Sequence, residues 1–418
     1  MPVWRDLTKE LRESGELNVV GIVQEQHPDR TRLYAAWQNL DFPILWDPFN
    51  TTGIDYVLVS TFVDGYGVVR ATGLSPRNGA KLKMLLNKDW LEQDGGPKTR
   101  APWITPDMGQ ARIVHASGSL GAVKKAMSRF LWASEGTLPP ETVMDDLVQQ
   151  LEERLDSKDV HPEDHFRAGV ARRLRLDSPH AAKGDAQASI DHWVNALTQN
   201  PNQYIWRRRI QQWGPRLDKP YPFYDWVDQA FEDLKTSGHA HAPLIAALSG
   251  SEVAGKPGGS APAPVPVSEP DPKGQLHRDK GLMVRLETAA APNSKVANKG
   301  KSKGPLSARI HITLRPLAGS HWTPDTEPAQ VWLKAPEGWS VAQQGLHFPP
   351  VSKAQTAASC YLDFEISAPK DATTGILKGY AVYSICKPDG TCLFRRQDFS
   401  VQVRVANESE NATGPPAK

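Results

Sequence analysis

The sequence predicts a multidomain protein that joins an α/β domain, an all-α region and an all-β sandwich. Three observations predict it. A chain of 418 residues has room for about two to four domains. Helical and strand-like spacings alternate up to Trp90, helical spacing alone follows, and period-two alternation takes over beyond His277. Between the last two lies Ser249 to Lys273, whose run Ala-Gly-Lys-Pro-Gly-Gly-Ser-Ala-Pro-Ala-Pro-Val-Pro stays extended and packs no core. The expected organisation is an α/β domain over 1–108, a helical region over 109–248, a linker over 249–276, a sandwich over 277–406 and a disordered tail over 407–418.

Val3, Trp4, Leu7 and Leu11 fall on one helical face before Ser14-Gly15, and the apolar run Leu17 to Val23 reads as a buried strand. Pro28 opens a second helix carrying Leu33, Tyr34, Trp37 and Leu40, and Phe42 to Trp46 gives a short strand. Tyr56 to Val63 and Val68 to Ala71 flank the turn Asp64-Gly65-Tyr66-Gly67, and Ser75-Pro76 starts a further helix through Leu82, Met84 and Leu85. Ala122 to Trp132 and Glu141 to Leu155 carry apolar residues at helical spacing. Beyond the linker, Met283 to Thr288, Ala308 to Leu314, Gln330 to Lys334, Cys360 to Ile366, Leu377 to Ile385 and Cys392 to Val405 alternate as strands, with Asn293 to Gly304 a flexible loop.

The charge balance of 49 basic against 47 acidic residues leaves no global field to recruit nucleic acid or an acidic membrane. Arg207, Arg208 and Arg209 spread around a helix, and their neighbours Tyr204, Trp206 and Trp213 are expected to anchor it, so no nucleic-acid partner is expected. No run of 18 apolar residues occurs, and no membrane span is expected. The first ten residues lack a secretory layout, so the chain as written reads as unexported. His161 and His165 have the spacing of a metal pair, but Pro162 puts His161 at the helix cap and no third ligand is marked. There is no phosphate-cradling glycine loop and no nucleophilic serine motif, so neither cofactor nor metal is expected. Asn50-Thr-Thr, Asn407-Glu-Ser and Asn411-Ala-Thr match glycosylation acceptors, a motif too short to carry weight alone.

The chemistry narrows to cysteine. Cys386 and Cys392 lie six positions apart, and Pro388-Asp389-Gly390 between alternating runs reads as a hairpin that sets the two sulfurs opposite each other. Facing Cβ atoms there are about 4.5–5.5 Å apart, near what a disulfide needs. A structural staple contributing about 2 kcal/mol, a pair of reduced thiols and an exchanging redox pair all remain open. Lys387, Arg395 and Arg396 are near enough in sequence to favour a thiolate. Cys360, on its own strand, is expected to be a buried core thiol.

Three resemblances follow. Met1-Pro-Val-Trp, Asn18-Val-Val-Gly-Ile-Val, Phe42-Pro-Ile-Leu-Trp-Asp-Pro and Val57 to Asp64 make residues 1–90 similar to the thioredoxin-like fold of redoxin and thiol-specific antioxidant proteins. Family members carry a strand and a cysteine motif immediately before the position of Met1, and a cis-proline where this chain has Leu58. Neither is present, so this domain as numbered has no thiol nucleophile. The resemblance implies a natural start further upstream; the alternative is that the strands at Leu17 and Tyr56 pair directly. Phe166-x-x-Gly169 with Ser189, Trp193, Ala196 and Pro201 resembles one tetratricopeptide helix pair, with about eight extra residues, Asp177 to Gly184, in its turn. An immunoglobulin-like sandwich with Ala335-Pro-x-Gly-Trp and Cys386…Cys392 on a late hairpin resembles the N-terminal periplasmic domain of thiol:disulfide interchange proteins. That likeness implies Cys386 and Cys392 as the redox pair, a thiol or disulfide partner protein, and an extracytoplasmic setting. A non-catalytic interaction protein with a structural disulfide is the rival reading, and oligomeric state is not legible.

Overall fold

The computed structural model describes residues 1–57, 59–88, 90, 118–134, 139–211, 226–239, 241–242, 244, 268–292, 306–341, 343–348, 351, 359–369, 372 and 374–405. Leu58, Trp213, the loop Asn293 to Gly304, most of the expected linker and the tail lie outside them. The described residues are mixed α/β, with helices and several antiparallel sheets.

Pro2 starts α1 (Pro2–Glu13), where its missing N–H costs nothing. β1 (Gly21–Val23) pairs in parallel with β2 (Ile44–Trp46), joined by α2 (Pro28–Trp37), again with proline in the first turn. β3 (Thr61–Val63) and β4 (Val69–Thr72) form a hairpin. The Asp64 carboxylate shapes its turn, accepting the Tyr66 and Val68 N–H groups at 2.8 and 3.0 Å and pairing with Arg70 at 2.6 Å. Helix α3 (Gly79–Leu86) is capped by the Asn78 side chain, which accepts the Lys81 N–H at 3.1 Å. Trp4, Leu11 and Leu17 share a small core with Phe62, Leu82 and Leu85, so α1 packs on the β3–β4 hairpin and α3.

Two expectations change here. The strands expected over Leu17 to Val23 and Tyr56 to Val63 shorten to three residues each, because strand geometry persists only where a neighbour supplies ladder hydrogen bonds. The direct pairing of these two strands does not form: β1 pairs with β2 and β3 with β4, in separate sheets. Ile22 and Leu45 sit opposite each other and exposed on one sheet, and Val63 and Val69 do so on the other.

Helices α4 (Gly118–Ala133), α5 (Glu141–Leu155), α6 (Pro162–Leu176), α7 (Asp185–Gln199) and α8 (Tyr204–Gln211) enclose the largest core. In α5 the buried residues Met144, Leu147, Val148 and Leu151 recur at three- and four-residue spacing, with Glu141 in the first turn and Arg154 in the last, where each charge suits the helix dipole. In α6 the Asp164 carboxylate turns back to accept the His161 N–H at 3.1 Å. Trp206 stacks on Phe166 with ring centroids 5.3 Å apart, and Arg209 is buried and donates to the Gln24 carbonyl, so the arginine run does not form one exposed basic face. Helix α9 (Val227–Thr236) packs on α2, with Trp226 stacked on Trp37.

Gly169 lets α6 and α7 approach. A Cβ there would lie 2.4 Å from the Trp193 ring, whose Nε1 donates to the Phe166 carbonyl at 3.1 Å. Alanine gains roughly 1 kcal/mol of helix propensity over glycine, but overpacking costs about 1–3 kcal/mol. The 2.4 Å approach puts the cost at the upper end of that range, so Gly169→Ala is expected to lower stability by about 2 kcal/mol net, read as a reduced urea midpoint. An unchanged or raised midpoint would show that the indole moves aside freely.

The last region consists of two four-stranded sheets facing each other. One has the order β5 (Val284–Pro292), β6 (Ser307–Pro316), β10 (Cys360–Ser367), β8 (Ser340–Val341); the other has β12 (Cys392–Arg404), β11 (Thr374–Cys386), β7 (Gln330–Lys334), β9 (Gly345–His347). Ile310, Ile312 and Leu314 from the first meet Val331, Leu333, Tyr383 and Val401 from the second in one core.

Residues 268–276, expected to belong to the linker, instead fold against β12. Asp271 accepts the Gln275 N–H at 2.7 Å and pairs with Arg396 at 2.9 Å, and local carboxylate turns of this kind order a chain that composition alone would leave extended. Nor are the three regions separate bodies. Phe49, Ala289 and Ala291 all contribute to the helical core, and Arg315 of β6 donates to the Ser178 carbonyl at 2.6 Å.

Candidate redox site

Strands β11 and β12 are 13 residues each and pair over their whole length, from Thr374 opposite Arg404 to Cys386 opposite Cys392. The turn that closes them is built locally. The Lys387 N–H goes to the Thr391 carbonyl at 2.9 Å, the Gly390 N–H to the Lys387 carbonyl at 3.0 Å, and Gly390 takes a φ of +82°, which suits glycine. The Asp389 carboxylate accepts the Thr391 N–H at 2.9 Å, which holds it below the usual carboxylate range. Because Lys387 and Thr391 form the hydrogen-bonded pair, Cys386 and Cys392 occupy the adjacent non-bonded position, where opposite side chains come closest. Their Cα atoms are 3.9 Å apart and their sulfurs are bonded.

The two sulfurs differ in access. Cys386 is 2% exposed, whereas Cys392 is exposed at the tip. Cys386 is flanked on both sides: Cys392 of β12 faces it on one, and on the other it exchanges both main-chain hydrogen bonds with His321, at 3.0 and 2.9 Å. His321 thus joins the site, although the sequence singled out only Cys386 and Cys392. Its contact is a one-residue bridge, and no periodicity marks a strand around it. Trp322, next in sequence, meets the Tyr383 ring edge-on at 5.9 Å and anchors this loop in the core.

The basic residues divide. Arg396 is committed to Asp271 and Asp398 and lies 3.6 Å over the Tyr380 ring; Arg395 sits one position away, on the opposite face from the cysteines. Lys387 is exposed in the turn itself. Phe394, on the cysteine face and 47% exposed, places an apolar surface beside Cys392. A pocket opens close by, with Trp322, Pro324, Phe348, Cys360 and Ser384 among its walls. Cys360 is half-buried rather than fully buried, and burial pushes its thiol up to about 12, so it stays protonated at neutral pH.

Elsewhere, Asn50 is buried, with its side-chain amide donating to the Ile54 carbonyl at 2.9 Å, which removes it as a glycan acceptor. Asn407 and Asn411 lie outside the described residues. Among the described residues no cluster of three or more His, Cys, Asp or Glu side chains is arranged to hold a metal ion, and no helix is long and apolar enough to cross a membrane.

No protein-family model matches the chain, and no curated protein matches it.

Proposed function

We propose that this chain is a thiol-disulfide carrier whose Cys386–Cys392 bond accepts two electrons from a partner dithiol. The observation that carries this reading is the pairing of an exposed sulfur with a buried one at the tip of a hairpin that is held independently of their bond. A partner thiolate attacks Sγ of Cys392, the Cys386–Cys392 bond breaks, and Cys386 leaves as a thiolate that takes up a proton. The partner's second thiolate then attacks its own sulfur in the mixed disulfide and expels Cys392. The partner leaves oxidised and both cysteines are reduced. Closing so short a loop is worth about 2 kcal/mol, a small loss against a full-length ladder, so the fold survives the open state.

On this reading the two-sheet region is an immunoglobulin-like sandwich of the kind at the N-terminal end of thiol:disulfide interchange proteins. The helical region, with its tetratricopeptide-like pair, and the redoxin-like residues 1–108 serve partner binding. All three cysteines of the chain lie at or beyond Cys360, so the redoxin-like part has no thiol to contribute. A lasting disulfide suits an oxidising, extracytoplasmic compartment.

The test is to equilibrate the folded chain in dithiol buffers poised around −270 mV, a typical thioredoxin potential, and count alkylated cysteines by mass while following near-UV circular dichroism. The bond is expected to open and reform with the tertiary signal unchanged. If it resists reduction until the sandwich melts, the disulfide is a staple and the chain a non-catalytic interaction protein.

A further inference from the structure

We infer, resting on that exchange reading, that His321 is the proton donor to the Cys386 thiolate released when the disulfide opens. His321 and Cys386 form an antiparallel bridge and exchange both main-chain hydrogen bonds. Residues paired in this way project their side chains from the same face, with Cβ atoms about 5.5 Å apart, within reach of an imidazole and a sulfur. Cys386 is 2% exposed, so water is poorly placed to solvate or protonate the departing thiolate, and an uncompensated charge there is costly. His321 is half-buried and touches solvent, so it recovers its proton after each cycle. In the forward step its imidazolium gives one proton to Cys386 Sγ as the S–S bond breaks; in the reverse step the neutral ring takes it back as the bond reforms.

The charged residues closest to it along the chain and the turn are Lys387 and Asp389 of the turn and Asp325 and Glu327 of its own loop, while Arg396 of β12 is committed to Asp271 and Asp398. Imidazole is the side-chain type whose charge ordinarily changes between about pH 5 and 8, and His277 is a second histidine near β12. His277 lies on the far side of β12, where its carbonyl accepts the Arg396 N–H at 3.0 Å.

The experiment measures the second-order rate constant for reduction of the full chain by dithiothreitol from about pH 5.5 to 8, divided by the thiolate fraction of the reagent. In the unaltered chain the corrected constant is expected to fall as pH rises through the imidazole titration, because the acid form does the work. In His321→Gln it is expected to be flat and about tenfold lower near pH 6. His277→Gln should keep the original profile. The His321 bonds are main-chain bonds, which glutamine retains, and circular dichroism checks the fold. Should that variant nevertheless misfold, the unaltered chain's corrected profile decides alone, and a flat profile overturns the assignment. So does a His321→Gln chain that keeps the original profile, or a His277→Gln chain that loses it. In either of those cases the bond still opens in the folded state and the exchange reading stands, whereas a disulfide that dithiothreitol cannot open without unfolding removes both.

Discussion

Cys386→Ser is expected to convert the chain into a trap for its partner. The variant leaves Cys392 exposed at the hairpin tip with no second sulfur beside it. A partner disulfide attacked by Cys392 then forms a mixed disulfide that nothing within this chain resolves, and the adduct should survive non-reducing electrophoresis and appear as a discrete added mass. Cys392→Ser leaves the thiol of Cys386, which is 2% exposed, and should capture at least tenfold less. Either change removes the loop closure, at a cost of about 2 kcal/mol, so a difference between them reports access and not stability. Equal capture by both, or stronger capture by Cys386, would mean that the hairpin tip opens in solution and that the exposed sulfur has no special standing.

The largest stability loss is expected at Asp185, in the helical region. Its carboxylate is fully buried and accepts from Arg175 Nε at 2.9 Å and Nη2 at 2.7 Å, from Arg172 at 3.1 Å and from the Ala182 N–H at 2.8 Å. It also sits in the first turn of α7, where a negative charge suits the helix dipole. Asp185→Ala leaves the buried Arg175 with the partly exposed Asp145 as its remaining carboxylate contact, and breaking a buried pair in this way costs about 3–5 kcal/mol. Urea unfolding should show that loss as a lower midpoint with little change in slope. A loss below about 1 kcal/mol would indicate that water enters and takes over the carboxylate's role.

The sequence made the strongly periodic elements plain. Helix α5 follows from Pro140 and the spacing of Met144, Leu147, Val148 and Leu151, and β7 spans Gln330–Lys334 as its alternation requires. The hairpin was legible too, because its turn chemistry is local: Asp389 and Gly390 impose the reversal wherever the rest of the chain goes.

What the sequence concealed depends on partners distant along the chain. His321 reaches Cys386 through one bridge, with no pattern to announce it. The contrast between Cys386 and Cys392 arises from which side of β11 the His321 loop covers, and cysteine spacing carries no trace of that. Composition marked residues 268–276 as linker, but Asp271 finds Arg396, 125 positions away. The runs at Leu17 and Tyr56 have strand composition over seven or eight residues, yet ladder pairing covers only Gly21–Val23 and Thr61–Val63, since β-propensity needs a neighbour to express it.

Gln187 of α7 donates to the Ala290 carbonyl at 3.1 Å and accepts the Ala290 N–H at 2.8 Å. Ala290 belongs to β5, the outermost strand of its sheet, so a single side-chain amide imitates the next strand at the place where another molecule could otherwise add one. The helical region therefore covers this rung of the sheet edge. Cut away from its helices, the two-sheet region would present that rung bare and invite the strand-to-strand stacking from which misassembled β-proteins grow.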